Sequence, residues 1–223
     1  MTSRPVFIPN NDLNQLVKIK DVNFTWHPGF AISQKMKSIS SLHEQIEKKL
    51  GIKKILEIST KSPKKEGKQV SAFNLKIKIN DKIYFLESLF QGSKTFGDAG
   101  PYNELYLKKS IDSKKDQRIK RSDLKEFNFF GEKISLDFDF YTWLYFIALI
   151  QNKIDSNELL KYKAFTDIEF NPKKSVNCQA YSAALYVSLI NNKLIFPDRS
   201  YTNDELKEII PLKKIKNFQP NLI

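Results

Sequence analysis

Ser71–Phe96, SAFNLKIKINDKIYFLESLFQGSKTF, reads as strand, turn, strand and helix, and this reading decides the fold class. Phe73, Leu75, Ile77 and Ile79 alternate over Ala72–Ile79, the period-two mark of a half-buried strand. Asn80-Asp81 turns the chain into Lys82–Phe85 and completes a hairpin. A helix is then expected over Leu86–Thr95, with Glu87, Gln91 and Lys94 at i, i+4 and i+7 on one face. Leu86, Leu89, Phe90 and Ser93 fill the sides that should pack. That face has two readings. One is a solvent-facing polar stripe, whose helical pairs contribute only ~0.2–0.5 kcal/mol. The other is a small polar site inside a mostly apolar fold. Periodicity alone favours the stripe, because most polar helical faces meet water.

Upstream, Leu16–Trp26 reads as a strand that ends at the His27-Pro28-Gly29 turn. Ser41-Leu42-His43-Glu44 has capping-box spacing and opens a basic helix to about Leu50, stopped by Gly51. Ile55–Thr60 is a strand and Lys61–Lys68 a charged turn. Downstream, Gly97–Pro101 breaks the chain, Tyr102–Lys109 is helical, and Ser110–Lys125 is a charged mobile segment or surface helix. Phe127–Ile134 forms a short hairpin. Asp137–Gln151 is a strongly apolar helix at the buried centre, Asn157–Tyr162 a short helix, and Asn177–Ile190 a core helix. Asn203–Ile210 is a small acidic-start helix. The architecture is α+β: a single, mostly helical domain over residues 1–223 with a few short antiparallel strands and an unassigned tail at 195–223. No strand leads into a Gly-rich phosphate turn, which argues against a doubly wound nucleotide fold.

Apolar residues at 41% supply a core, and seventeen Phe with nine Tyr argue against disorder. The net charge of +12 suits a polyanionic partner such as nucleic acid, but thirty-seven basic residues of which only four are arginine also suit a merely solvated surface. Cys178, the one cysteine, allows no intramolecular disulfide. The N-terminal residues lack the pattern of a signal peptide, and no apolar run reaches the ~20 residues a bilayer needs, so a cytoplasmic protein without membrane partners is expected. His27 and His43 have no cysteine or carboxylate at metal-ligand spacing, and the His-x-Glu and Cys-x-x-Cys of a zinc deaminase are absent. Cys178, at a helix start among apolar residues, reads as a packed thiol, although a helix N-terminus also favours a reactive thiolate.

A second stretch, Phe165–Tyr181 (FTDIEFNPKKSVNCQAY), places Asp167 and Glu169 in an irregular segment and Asn171 and Asn177 around a basic turn. Asn177 stands where an N-cap would. Such a loop can hold the hydroxyls and phosphates of a nucleotide-like ligand. By itself it is more simply an Asn cap with a solvated loop.

Together the two stretches resemble the NADAR family, in the branch found beside DarT-type DNA ADP-ribosyltransferase toxins. The residues that carry the likeness are Ser71, Phe73 and Asn74; Glu87, Phe90, Gln91 and Lys94; Phe165 and Asp167; and Asn177. The branch is also similar in Trp26–Glu44 (WHPGFAISQKMKSISSLHE) and Phe165–Leu189, and the likeness runs from Arg4 to about Leu194. Where the wider family has an E-H pair and a W-G-D segment, this chain has Glu87-Ser88 and Phe165-Thr166-Asp167. No role of that histidine or tryptophan carries over, and the toxin-linked branch is implied rather than a riboflavin-intermediate glycosidase.

The resemblance implies a metal-independent, cofactor-free hydrolase that cleaves ADP-ribose from guanine in DNA, acting as antitoxin or counter-defence. Lys94 would form a Schiff base after the sugar opens, and Glu87 would move protons at the ribose. Gln91 and Asp167 would orient the ribose, and Asn74 and Asn177 would bind rather than react. Trp26, Phe30 or Phe96 would stack on a base, although each such ring is more often core. Lys35, Lys37, Lys173 and Lys174 would hold phosphates. The alternatives are a non-catalytic reader of ADP-ribose or modified DNA, and an antitoxin that binds its cognate toxin directly.

Overall fold

The structure is a computed structural model that describes residues 2–172 and 177–210. The chain runs through β1 (Thr2–Pro9), β2 (Val17–Phe24), α1 (Ile32–Leu50), β3 (Ile55–Glu57), α2 (Lys65–Gln69), β4 (Lys76–Ile79), β5 (Lys82–Phe85), α3 (Leu86–Gly92) and β6 (Lys94–Phe96). It continues through α4 (Ser110–Lys115), β7 (Leu124–Phe129), β8 (Glu132–Ile134), α5 (Phe140–Gln151), α6 (Ser156–Leu160), β9 (Ala164–Thr166), α7 (Gln179–Asn191) and α8 (Asn203–Ile209). Short 3-10 segments occupy Asn103–Leu107 and Gln117–Ile119. Two compact units result: Met1–Ser71 with Asp155–Arg199, and Ala72–Ile154 with Ser200–Ile223.

In the first unit the sheet order is β2-β1-β9-β3. β1 pairs antiparallel with β2 from Thr2↔Phe24 to Pro9↔Val17, and with β9 at Phe7↔Phe165. β9 runs parallel to β3, from Ile55↔Ala164 to Glu57↔Thr166. Ile39, Leu42 and Ile46 of α1 pack with Val6, Val22 and Phe24. α7 covers β1 and β9, with Tyr181 edge-on to Phe7 at 5.9 Å. Val6 and Phe7 are neighbours that point to opposite faces, and both are buried because each face carries a helix.

In the second unit Asn80 (φ 46°) and Asp81 (φ 64°) close the β4–β5 hairpin, with positive φ at both central positions as two-residue hairpin turns require. β6, β7 and β8 form an antiparallel sheet. Asp139 caps α5 by accepting from the Thr142 backbone N–H at 3.1 Å. α5 is buried from Phe140 to Leu149, and its Phe140 and Trp143 rings meet Phe127 and Phe129 at centroid distances of 4.8–5.6 Å.

The fold is a mixed α/β arrangement, not the mostly helical one expected. Strands β1, β6 and β9 were not anticipated, and the β3–β9 pair is parallel. α1 begins at Ile32, so Ser41 lies inside it, and its hydroxyl accepts from the Thr25 N–H at 3.1 Å instead of capping. The first hairpin strand starts at Lys76, leaving Ala72, Phe73 and Asn74 in a turn. Lys65–Gln69 is a helical turn where a charged loop was expected. The helix carrying Glu87 stops at Gly92 instead of Thr95, because the next carbonyl is engaged by the sheet. The Asn128 N–H donates to Ser93 O at 2.7 Å, and Lys94 stands opposite Phe127. No helix among the described residues is long and apolar enough to cross a membrane.

Candidate active site

All of α3 is buried, Glu87 and Gln91 included, at 3% and 5% exposure. The polar face is therefore not a solvent stripe. Gln91 Nε2 donates to Glu87 Oε1 at 2.8 Å, one helical turn apart. A carboxylate only accepts, so this bond fixes which way the amide points. The carbonyl oxygen of Gln91 is left buried with no hydrogen-bond partner among the described residues, and a buried orphan acceptor of this kind is costly unless a ligand or water satisfies it. Lys114 of α4 brings its Nζ to 3.7 Å from Glu87 Oε1 and lies over the Phe73 ring at 4.9 Å.

Lys94 reaches this group from β6, not from the helix. Its Nζ lies 5.3 Å from the Phe90 ring centroid. Burial pushes its pKa down to about 8; the Glu87 carboxylate opposes that shift and the Lys114 ammonium adds to it. Gly100 (φ +92°) makes room for the Lys94 backbone, since a Cβ there would stand 2.3 Å from Lys94 O. The structure thus joins Glu87, Gln91 and Lys94, through strand pairing where helical periodicity was expected. Lys114 was missed because its charged segment read as surface. The structure shows that α4 has a packed side, with Ser110 and Ser113 buried.

In the other unit Asp167 is buried in a polar network. Its Oδ1 accepts from the Glu169 and Phe170 N–H groups at 3.0 and 3.2 Å, and its Oδ2 accepts from Gln179 Nε2 at 3.0 Å. Gln179 also donates to Ile58 O at 2.7 Å. Glu57 grips both neighbours of Asp167, accepting from Thr166 Oγ1 at 2.7 Å and the Ile168 N–H at 2.8 Å. Burial raises the Glu57 pKa against the pull of these bonds. His43 Nε2 lies 3.0 Å from Thr166 Oγ1, and burial with the Lys64 charge lowers its pKa to about 4. Sequence reasoning gave Glu57, His43 and Gln179 no site role, although His43 and Gln179 lie within the two family-like stretches.

A family model described as the DarT1-associated NADAR antitoxin matches residues 2–218. The chain belongs to that family. A comparison with curated proteins finds no match.

In this NADAR chain the remaining predicted residues fall in different settings. Lys35 lies 4.7 Å from the Trp26 ring centroid and pairs with Glu169 at 3.2 Å. Arg4, unread in the sequence although one of only four arginines, brings its guanidinium to 5.4 Å from the same ring. Burial lowers the Arg4 pKa, against the pull of Asp167 and Glu169. Trp26 therefore holds cations instead of presenting an open stacking face. Phe96 is 2% exposed, beside Tyr102 and under the Arg121 guanidinium at 5.5 Å, so it is core and not a platform. Asn74 is exposed in the turn before β4. Asn177 is half-buried and is not the helix cap; that position belongs to Cys178. Burial raises the Cys178 pKa well above its ordinary value, with Asp167 adding to the effect, so the thiol is packed and protonated. Lys173 and Lys174 lie outside the described residues. Among the described residues no three of His, Cys, Asp or Glu gather where they could hold a metal ion.

Proposed function

We propose that this chain removes ADP-ribose from guanine in DNA, erasing the mark of a DarT1-type transferase. The observation that carries the reading is the Lys94 amine, its pKa lowered to about 8, beside a buried Glu87–Gln91 pair. At pH 7.5 about a quarter of such an amine is neutral, against roughly a thousandth at an ordinary lysine pKa. The family match supports the antitoxin role.

In the proposed reaction the C1″–O4″ bond of the ribose opens as O4″ takes a proton, leaving an imine between C1″ and the guanine amine. The neutral Lys94 amine adds to C1″. The guanine amine takes a proton and departs with the electrons of its C1″–N bond. Water then adds to the lysine imine, which returns free Lys94 and ADP-ribose. Glu87 carries the protons. Gln91 Oε1 accepts from a ligand hydroxyl.

Incubation of a guanine-ADP-ribosylated DNA oligonucleotide with sub-stoichiometric protein and EDTA, followed by mass spectrometry, tests this. Many turnovers of released ADP-ribose are expected, reduced ~10²–10⁴-fold in Glu87→Gln. Binding without release would point to a reader instead, and toxin rescue by Glu87→Gln would point to direct toxin blockade.

A further inference from the structure

Of the three aromatic rings considered for base stacking, Phe96 is core and Trp26 is engaged by Arg4 and Lys35. Phe30 is 100% exposed. It stands at the tip of the β2–α1 loop, where every residue from Pro28 to Ser33 is exposed, with Ile32 at 63%. The base of the loop is firmly held. The His27 N–H donates to Ser38 Oγ at 2.9 Å, and the Ser38 hydroxyl, itself fully buried, lies 3.4 Å from His27 O. Gly29 (φ +120°) bends the chain just before the ring, and a Cβ there would crowd Gln34 Cγ at 3.3 Å. The loop thus holds out an apolar ring whose exposure nothing within the described fold offsets.

The charged residues closest to the tip in sequence are basic. Between Val22 and His43 there is no Asp or Glu, and Lys35 and Lys37 are the charged residues. Lys37 is exposed, while Lys35 is largely sheltered against Trp26 and Glu169. A protein partner needs a patch of several hundred Å² per side, more than one ring and one isoleucine supply. A nucleobase face matches a single ring, and a phosphate matches the exposed Lys37 ammonium on the helix that follows. We infer that the β2–α1 tip is a nucleic-acid contact, with Phe30 stacking on an unpaired base. This deepens the proposed function, on whose nucleic-acid substrate it rests, by assigning the residue that grips the strand.

The test is the binding of a fluorescein-labelled, unmodified single-stranded DNA oligonucleotide, followed by anisotropy over a range of salt. Phe30→Ala and Phe30→Leu are expected to weaken binding roughly ten- to hundredfold, with Phe30→Trp restoring it. The salt dependence should be unchanged, since no phosphate contact is lost. Equal affinity of Phe30→Ala and wild type overturns the inference, as does full rescue by leucine. A loss of binding that appears only with anionic vesicles would assign the tip to a membrane surface and overturn it too. Because binding needs no turnover, the outcome is separate from the hydrolase reading. Loss of DNA binding in Phe30→Ala alongside a wild type that releases no ADP-ribose would sink that reading alone.

Discussion

Lys94 has a pKa set by three neighbouring influences, and each makes a signed contribution. Burial and the Lys114 ammonium lower it, and the Glu87 carboxylate raises it. Glu87→Gln should therefore move the Lys94 pKa further below about 8, and Lys114→Met should move it up, as followed by 13C NMR of labelled lysines. If the neutral amine reacts, log kcat/KM should climb with a slope near one as pH rises and level off above about 8. The sign follows from the chemistry: protonation removes the lone pair, so acid inhibits. In Lys114→Met that bend should shift to higher pH along with the lysine itself. A bend that stays put while the NMR pKa moves would separate Lys94 from the rate.

At the scale of elements, α3 and β6 present the candidate site, and Gly92 lets them sit where they do. A Cβ at Gly92 would meet the Tyr106 ring at 2.6 Å and Tyr102 O at 2.9 Å. The Tyr106 hydroxyl is held by Ser93 Oγ at 2.9 Å and Asn128 O at 3.2 Å, so the ring has little room to retreat. Gly92→Ala should cost about 1–3 kcal/mol despite its better helix propensity, seen as a Tm lower by several degrees. Unchanged stability would mean the 3-10 segment simply shifts. The β4–β5 hairpin, α5 and α7 were legible because the positive-φ turn and the long apolar runs are local signals. Strand β1 was not: Val6 and Phe7 are buried on opposite faces, so no alternation shows, and its partners lie as far off as Phe165. The sequence put Glu87, Gln91 and Lys94 together but on one helical face, and it left Lys114 out. Lys94 joins Glu87 through a sheet that Asn128 and Phe127 complete, and no helical spacing can encode that. The placement of Phe30, Trp26 and Phe96 was equally hidden, because burial of one ring depends on residues distant in sequence.

Across the whole molecule, a net charge of +12 raises the local concentration of any polyanion, and salt screens that attraction. The charge gives encounter without selectivity. Selectivity is assigned instead to the Phe30 tip for the strand, and to Lys94, Glu87 and Gln91 for the bond that is cut. Everything in the proposed reaction turns on Lys94 becoming covalently joined to the sugar. Reductive trapping reads that bond itself: the protein is incubated with a guanine-ADP-ribosylated oligonucleotide and cyanoborohydride, then mapped by peptide mass spectrometry. An ADP-ribosyl adduct, reduced to a secondary amine, is expected on Lys94, with unmodified oligonucleotide released and no adduct in Lys94→Arg. Wild-type release of ADP-ribose by a folded Lys94→Arg, with no trapped lysine in the parent, would contradict the covalent role of Lys94.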